Sequence, residues 1–528
     1  MAAEYDTWKR LTCLVGDFPP GMVALVGAGP GDSALISVRG AVRLMQADVV
    51  LHDRLVGPEL LELPAPDAER IFVGKYRGRH VWTQAQINTE LVRFAQAGRR
   101  VVRLKGGDPF VLGRGGEECL ALAEAGIPYE VVPGITAAFG APASAGIPLT
   151  HRGLSRSFVL ATAHAEPGDS DAPDFGALAR MGTVVLYMAV ANLERTTAAL
   201  IEAGVATGTP AAVIEWGTRP QQRVVEGTVG DLADRVSAEK VRPPAMVVIG
   251  QVVSLRRSLA WFERRPLYGR TVVVTRRQEQ ASDLGGMLRA AGARVICAPT
   301  IEMAPVADYG PVDASLRKVA DYDWLVVTSA NGVDTLFARL AMLDRDSRHL
   351  AGVRIAAVGS ATAAALAEHG IRADLIPGEA VGEALADALI AQDVRDKRVL
   401  LLRAEKARAI VPHALTEAGA DVDDVAVYKT CAPGHLPEAF LDELRAGHVD
   451  WVTLMSPSAL ENLLQLLGPE RAAWLEPVKW ASIGPVTSKA LREAGFRVHA
   501  EAEPHDASGL VRALVAAEQR PPASDGDA

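Results

Sequence analysis

From Met22 onward, short apolar runs alternate with stretches of amphipathic spacing, the rhythm of an α/β chain. The runs Val23–Val26, Val49–His52, Val101–Leu104, Phe158–Ala161, Val184–Tyr187, Ala212–Glu215 and Met246–Ile249 predict strands. Ser33–Gln46 has the spacing of a helix between the first two. Near Ser254–Arg270 the rhythm changes. A charged, helix-like stretch, Leu255–Phe262, ends at Pro266 and Gly269, and a fresh apolar run, Thr271–Thr275, begins. These signals predict an N-terminal extension over 1–20, a first α/β domain over 21–254 and a linker over 255–269. A second α/β domain follows over 270–516, then a disordered tail over 517–528.

The second domain repeats itself. Val272–Arg276 returns as Val399–Arg403, Ala291-Gly292-Ala293 as Ala418-Gly419-Ala420, and Thr328–Asn331 as Met455–Ser458, all at an offset of 127 residues. Ala357–Thr362 returns as Ser482–Thr487 at an offset of 125 residues. A period this long indicates domain duplication, and predicts two similar α/β lobes in place of one large sheet.

The chain has 528 residues, too many for one ordinary core. With 49% hydrophobic and 23% charged residues its composition is globular. A net charge of −9 argues against a generic nucleic-acid binder, which needs a basic face. Its four cysteines (Cys13, Cys119, Cys297, Cys431) form no C-x-x-C pair, so neither a disulfide framework nor a metal site is expected. The apolar runs are strand-sized and broken by charge, which predicts no membrane span. Met1–Asp6 lacks the basic start of a secretory signal. A reduced, cytoplasmic setting is the expectation.

Candidate chemistry concentrates in Val101–Glu117, where a strand runs into a loop of glycines and prolines interleaved with Asp108, Arg114 and Glu117. Such a loop brings backbone amides close to a ligand and sets charges beside them. The first strand runs into Gly27-Ala-Gly-Pro-Gly-Asp32, which is not a dinucleotide fingerprint because Asp32 occupies the third glycine's position. Asp53, Lys75, Thr136, Met188 and Gly217 all follow apolar runs, so they gather at the strand edge where open α/β sheets bind small molecules. Taken singly, Asp53 reads as a turn or cap residue and Met188 as core.

Taken together, Val26–Asp32, Val101–Phe110, Val132–Thr136, Gly146–Arg152 and Gln222–Thr228 closely resemble the uroporphyrinogen-III C-methyltransferase family over about residues 20–254. The resemblance implies methylation of uroporphyrinogen III at C2 and C7 by S-adenosylmethionine, giving precorrin-2, and a homodimer through this half. By motif, S-adenosylmethionine is expected at Pro30, Gly106, Gly107, Asp108, Val111, Thr136, Ala137, Met188 and Gly217. Asp53 matches a proton acceptor and Lys75 a proton donor. Arg114, Glu117 and Arg152 match positions that contact the tetrapyrrole or assist proton removal. His52 stands where relatives commonly carry tyrosine.

Residues of about 270–515 resemble uroporphyrinogen-III synthase, through Val273–Arg276, Val327–Gly332, Ala357–Thr362, Val427–Thr430 and Ile483–Thr487. The resemblance implies two flavodoxin-like lobes, with the first strand and helix packing with the C-terminal portion, and cyclisation of hydroxymethylbilane with inversion of one ring. Tyr428 is the candidate for hydroxyl departure or carboxylate contact. Ser329, Ser360, Ser456 and Thr487 are candidates for acetate and propionate groups, with helix capping as the alternative for the three serines. Arg276 and Arg403, at duplicated strand ends, are candidate carboxylate clamps. The expected protein is thus a methylase-type α/β half fused to a two-lobed synthase half, one making what the other consumes. Its expected partners are small tetrapyrroles, not nucleic acid or membrane. The rival readings are a nicotinamide oxidoreductase, which would need the missing glycine, and a second half that only binds or senses tetrapyrrole.

Overall fold

The computed structural model describes residues 11–74, 82–163, 173–276 and 278–519. Lys75 lies outside the described residues. The described residues form two compact units, one made of the chain up to Val272 together with Gly285–Val295 and the residues from Leu514 on, the other of Val273–Leu284 and Ile296–Ala513.

The first unit holds two five-stranded sheets. One contains β1 (Val23–Gly27), β2 (Val49–His52), β3 (Glu69–Phe72), β4 (Val101–Lys105) and β5 (Tyr129–Val132) in the order β3-β2-β4-β1-β5, all parallel. Parallel sheets are covered on both faces, and here Val26, Leu44 and Val50 pack one face while Leu25, Val49, Leu91 and Phe94 pack the other. The other sheet contains β6 (Phe158–Thr162), β7 (Thr183–Tyr187), β8 (Pro210–Glu215), β9 (Arg223–Thr228) and β10 (Ala245–Ile249) in the order β6-β7-β10-β8-β9. Only the β6–β7 pair in it is parallel.

Two local differences from the sequence reading have clear causes. Ser33–Gln46 is not one helix. Asp32 caps a short turn by accepting from Ala34 N (2.9 Å), and Ser37 then caps a separate helix, Val38–Gln46, by accepting from Gly40 N (3.2 Å). The segment expected as a linker, 255–269, is fastened down. Arg256 donates to Ala145 O (2.6 Å), Trp261 Nε1 to Ala143 O (3.0 Å), and the Tyr268 hydroxyl to Gln222 O, while Phe262 and Leu267 are buried.

The second unit carries the duplication. Its strands are β11 (Thr271–Val274), β12 (Arg294–Cys297), β13 (Glu302–Ala304), β14 (Trp324–Val327), β15 (Arg354–Ala357), β16 (Arg398–Ala404), β17 (Asp421–Cys431), β18 (Trp451–Leu454), β19 (Lys479–Ser482) and β20 (Val498–Glu501). They form two sheets, β12-β11-β18-β19-β20 and β13-β17-β16-β14-β15. Each repeat therefore lends its opening strand pair to the other repeat's sheet, as the resemblance implies. The repeat extends to the core. Trp324 and Trp451 are buried at the same 127-residue offset, each with a cation from the neighbouring strand over its ring, Arg354 at 4.1 Å and Lys479 at 5.3 Å. Trp451→Ala is expected to destabilise this unit by about 3–5 kcal/mol, read as a lower urea midpoint by circular dichroism. A shift worth under about 1 kcal/mol would remove the ring from the core.

Candidate functional site

The carboxyl ends of β1, β4 and β5 meet with no space between them. Ala28 N donates to Lys105 O (2.7 Å), and Gly29 and Gly107 exchange both backbone bonds (3.2 and 2.8 Å). A Cβ on Gly27 would lie 2.6 Å from Gly134 Cα, and one on Gly134 would lie 2.2 Å from Gly107 O. Only glycines permit this crossing. Asp108 locks it, accepting from Gly134 N (3.0 Å) through one oxygen and from Phe110 N (2.8 Å) through the other.

The same rim reaches the second sheet. Thr136, buried at the start of the helix Ala137–Ser144, bonds through its hydroxyl to the hydroxyl of Tyr187, which also accepts from Ala138 N (3.1 Å). Tyr187 thus supplies the cap that this helix otherwise lacks. Met188 follows it at φ +52° and 56% exposed, a conformation a non-glycine residue adopts at a cost. Pro30 packs on Gly140 of that helix, where a Cβ would lie 2.4 Å from Pro30 Cγ. Gly217 sits between Trp216 and Thr218, both at positive φ, and packs on Ala141; Thr218 Oγ1 accepts from Asp32 N (3.1 Å). Pro30, Gly107, Asp108, Thr136 and Gly217 are thereby tied into one rim by backbone bonds and packing, and Gly106, Ala137 and Met188 adjoin members of it in sequence. Val111 lies in the same loop, its N–H directed at Asp108 O (3.4 Å). At Gly106 an added Cβ would meet Leu55 Cβ at an ordinary contact distance of 3.6 Å, so that position is not closed by backbone as Gly27 and Gly134 are. Separately, an apolar groove of about 540 Å3 is lined by Phe139, Phe158, Leu259 and Trp261 among others, and none of the candidate site residues lines it.

Asp53 stands at the end of β2, its side chain 30% exposed. Arg103 Nη2 donates to one carboxylate oxygen (2.6 Å), and Gly106 N points at the other (3.4 Å). Beside it His52 is half-buried against Phe72, and burial pushes its imidazole below the ordinary range. Arg114 and Glu117 form an exposed pair (2.6 Å) in which Arg114 holds the Glu117 carboxyl below its usual value. Arg152 is exposed on its loop.

In the second unit Tyr428 is buried in β17, its hydroxyl 3.0 Å from Ser329 Oγ, and Ser329 caps the helix Ala330–Met342 through Gly332 N (3.0 Å). Ser456 caps the helix Pro457–Leu467 in the same way. Ser360 is exposed in the first turn of its helix, with Gly359 at the cap position. Thr487 is buried inside the helix Pro485–Glu493, which starts early because proline favours the first helical position. Arg276 is half-buried, and burial pulls its guanidinium down from its ordinary value. Arg403 forks onto Asp424 with two bonds of 2.6 Å, so a substrate carboxylate must compete with that partner.

Sequence reasoning missed Tyr187, Arg103 and Glu118. Gly115, Glu118, Cys119 and Leu122 form the inward stripe of the helix Gly115–Glu124, at the spacing of an apolar face. A carboxylate on that stripe, and two cations in a buried strand, were the signal.

Family models match both halves: tetrapyrrole (corrin/porphyrin) methylases over residues 22–233 and uroporphyrinogen-III synthase over residues 282–512. The porphyrin biosynthesis protein HemD of Ruminiclostridium josui is 37% identical over 90% of this chain and 94% of its own length. The siroheme synthase of Azotobacter vinelandii is 53% identical over 46% of this chain; the chain spans about half of that relative's length, 53%. The solved uroporphyrin-III C-methyltransferase of Thermus thermophilus is 40% identical, covers 44% of this chain and 99% of its own, with a TM-score of 0.39. The chain belongs to the porphyrin-biosynthesis family in which a tetrapyrrole methylase is fused to a uroporphyrinogen-III synthase.

Proposed function

We propose that the second unit cyclises hydroxymethylbilane to uroporphyrinogen III and the first methylates that product at C2 and C7, giving precorrin-2. The observation that carries the methylase half is a glycine-lined rim, locked by Asp108, with the partly exposed carboxylate of Asp53 held at its edge. S-adenosylmethionine supplies an electrophilic methyl group. Gly106, Gly107, Thr136, Ala137 and Gly217 offer close backbone approach to it, and Pro30, Asp108, Val111 and Met188 border the same place. Positioning of this kind contributes up to ~7–11 kcal/mol to a group transfer. Each transfer forms a carbon–carbon bond, breaks a carbon–sulfur bond and releases a proton from the macrocycle, which Asp53 accepts. Lys75 is the proton donor of this reading, for the accompanying tautomerisation, in which the proton given to one position of the macrocycle is matched by a further proton lost from another. Arg114, at the start of the helix Gly115–Glu124, and Arg152, exposed on its loop, meet the carboxylates of the tetrapyrrole, and Glu117, in the first turn of that helix, assists proton removal. A homodimer through this half belongs to the same reading, and a solution mass of two chains checks it.

In the second unit Tyr428, aligned by Ser329, assists departure of the hydroxyl, in a reaction that depends mainly on holding the flexible substrate in one pose. Ser360, Ser456, Thr487, Arg276 and Arg403 are its proposed contacts to side-chain carboxylates. Incubation with hydroxymethylbilane and labelled S-adenosylmethionine, followed by mass analysis, is expected to give doubly methylated product. Tyr428→Phe is expected to slow ring closure about tenfold or more while supplied uroporphyrinogen III is methylated at the native rate. If the native chain yields only the unrearranged isomer, the second unit is inert as a synthase.

A further inference from the structure

Behind Asp53 lies a buried cluster that the mechanism above leaves unused. Glu118, fully buried on the helix Gly115–Glu124, accepts from Arg103 Nε (3.0 Å) and Lys105 Nζ (3.0 Å) through one oxygen, with Gln84 Nε2 at 3.2 Å from the same atom. Its second oxygen lies 3.0 Å from Lys105 Nζ without a directed hydrogen bond. Arg103 is itself buried, with Leu104 O at 3.2 Å and Leu51 O at 3.4 Å, and its remaining arm goes to Asp53. Two carboxylates and two cations are thus balanced in a chain, Lys105–Glu118–Arg103–Asp53, with only the Asp53 end exposed.

Water cannot screen the inner three members, so the charge on each sets how strongly the next one holds its partner. For Lys105, burial and the adjacent Arg103 push its ammonium down, which marks it as the member that depends most on Glu118. For Arg103, burial works against the charge, and Asp53 and Glu118 together outweigh it.

We propose that Glu118 and Lys105 are a charge-compensating pair that fixes how tightly Arg103 grips Asp53, making Glu118 a positioning residue for proton removal in the methylase half. The inference rests on the reading of Asp53 as the proton acceptor. With Glu118 neutralised, two buried cations share one remaining carboxylate, Asp53, and hold it away from the substrate. Neutralising Lys105 as well restores the balance of one cation to one carboxylate.

The test is a double-mutant cycle in the full chain. Glu118→Gln is expected to lower kcat for methyl transfer by about 10- to 100-fold, part of the ~10²–10⁴ a positioned base contributes, with KM for S-adenosylmethionine within about twofold of native. Lys105→Met combined with Glu118→Gln is expected to recover most of that loss, whereas two independent packing defects would simply add. Ring closure by the same chain and thermal unfolding report folding. If Glu118→Gln does not fold, the balanced double variant is compared with Lys105→Met alone, where two carboxylates compete for Arg103, and the double variant is expected to be the faster. A native kcat in Glu118→Gln, a loss confined to KM, or a double variant no better than the product of its singles overturns the inference. Asp53→Asn separates the two claims. If it methylates normally, the proton-acceptor reading fails and takes this inference with it; if it is inactive while Glu118→Gln is native, only the inference fails.

Discussion

Asp53→Asn is expected to reduce methyl transfer by about 10²–10⁴ while ring closure by the second unit proceeds at the native rate. The amide keeps the shape of the side chain and still fills the space in front of Arg103, whose Nη2 stands 2.6 Å away. What it loses is the capacity to accept a proton. A stability cost accompanies the change, because Glu118, which Arg103 shares with Lys105, is then the one carboxylate left to balance it. That cost falls short of the ~3–5 kcal/mol of a fully buried broken pair, since the Asp53 carboxylate is 30% exposed. Stopped-flow quenching separates the effects: binding of S-adenosylmethionine is expected to stay near native while dimethylated product disappears. Native-rate product formation by a folded Asp53→Asn chain would place proton removal elsewhere on the rim.

The strands were legible because sheets covered on both faces demand continuous apolar runs, and the seven runs of the first half match β1, β2, β4, β6, β7, β8 and β10 to within a residue or two. β9 (Arg223–Thr228) did not announce itself, being the edge of the second sheet with only Val225 buried among its residues. Short glycine-rich sequences marked the rim, since the close crossing leaves no room for a Cβ at Gly27 or Gly134 and Gly107 turns at φ +68°. Partners across the chain were not legible. Glu117 and Glu118 are chemically identical neighbours, and only the helix phase decides that one faces solvent with Arg114 and the other is sealed against Arg103 and Lys105. Tyr187 looked like the last apolar residue of a strand, and its hydroxyl acquires a role only when the second sheet meets the helix after Thr136. The segment 255–269 misled for the opposite reason. Its charge density reads as solvated, yet Arg256 is held by Glu226, Glu263 and Ala145 O, which lie far apart in sequence.

Gly134→Ala is expected to abolish binding of S-adenosylmethionine, by about 100-fold or more in Kd, equivalent to ~3 kcal/mol. The added methyl would stand 2.2 Å from Gly107 O and 2.7 Å from Gly27 Cα, and both obstacles are backbone, with no rotamer to turn aside. Overpacking a side-chain core costs about 1–3 kcal/mol because side chains yield. Here the β1 and β5 loops must separate, which also pulls Gly134 N from Asp108 and frees the turn at Gly106 and Gly107. Gly116→Ala is the matched control. That position lies in the helix Gly115–Glu124 with nothing within 4 Å of an added Cβ, so a gain of about 0.5–1 kcal/mol in stability and native binding are expected. Calorimetric titration of both variants distinguishes a site built on backbone crossing from one held by side chains alone. If Gly134→Ala binds the donor normally, the loops have room to part, and the rim's rigidity is not what positions the methyl group.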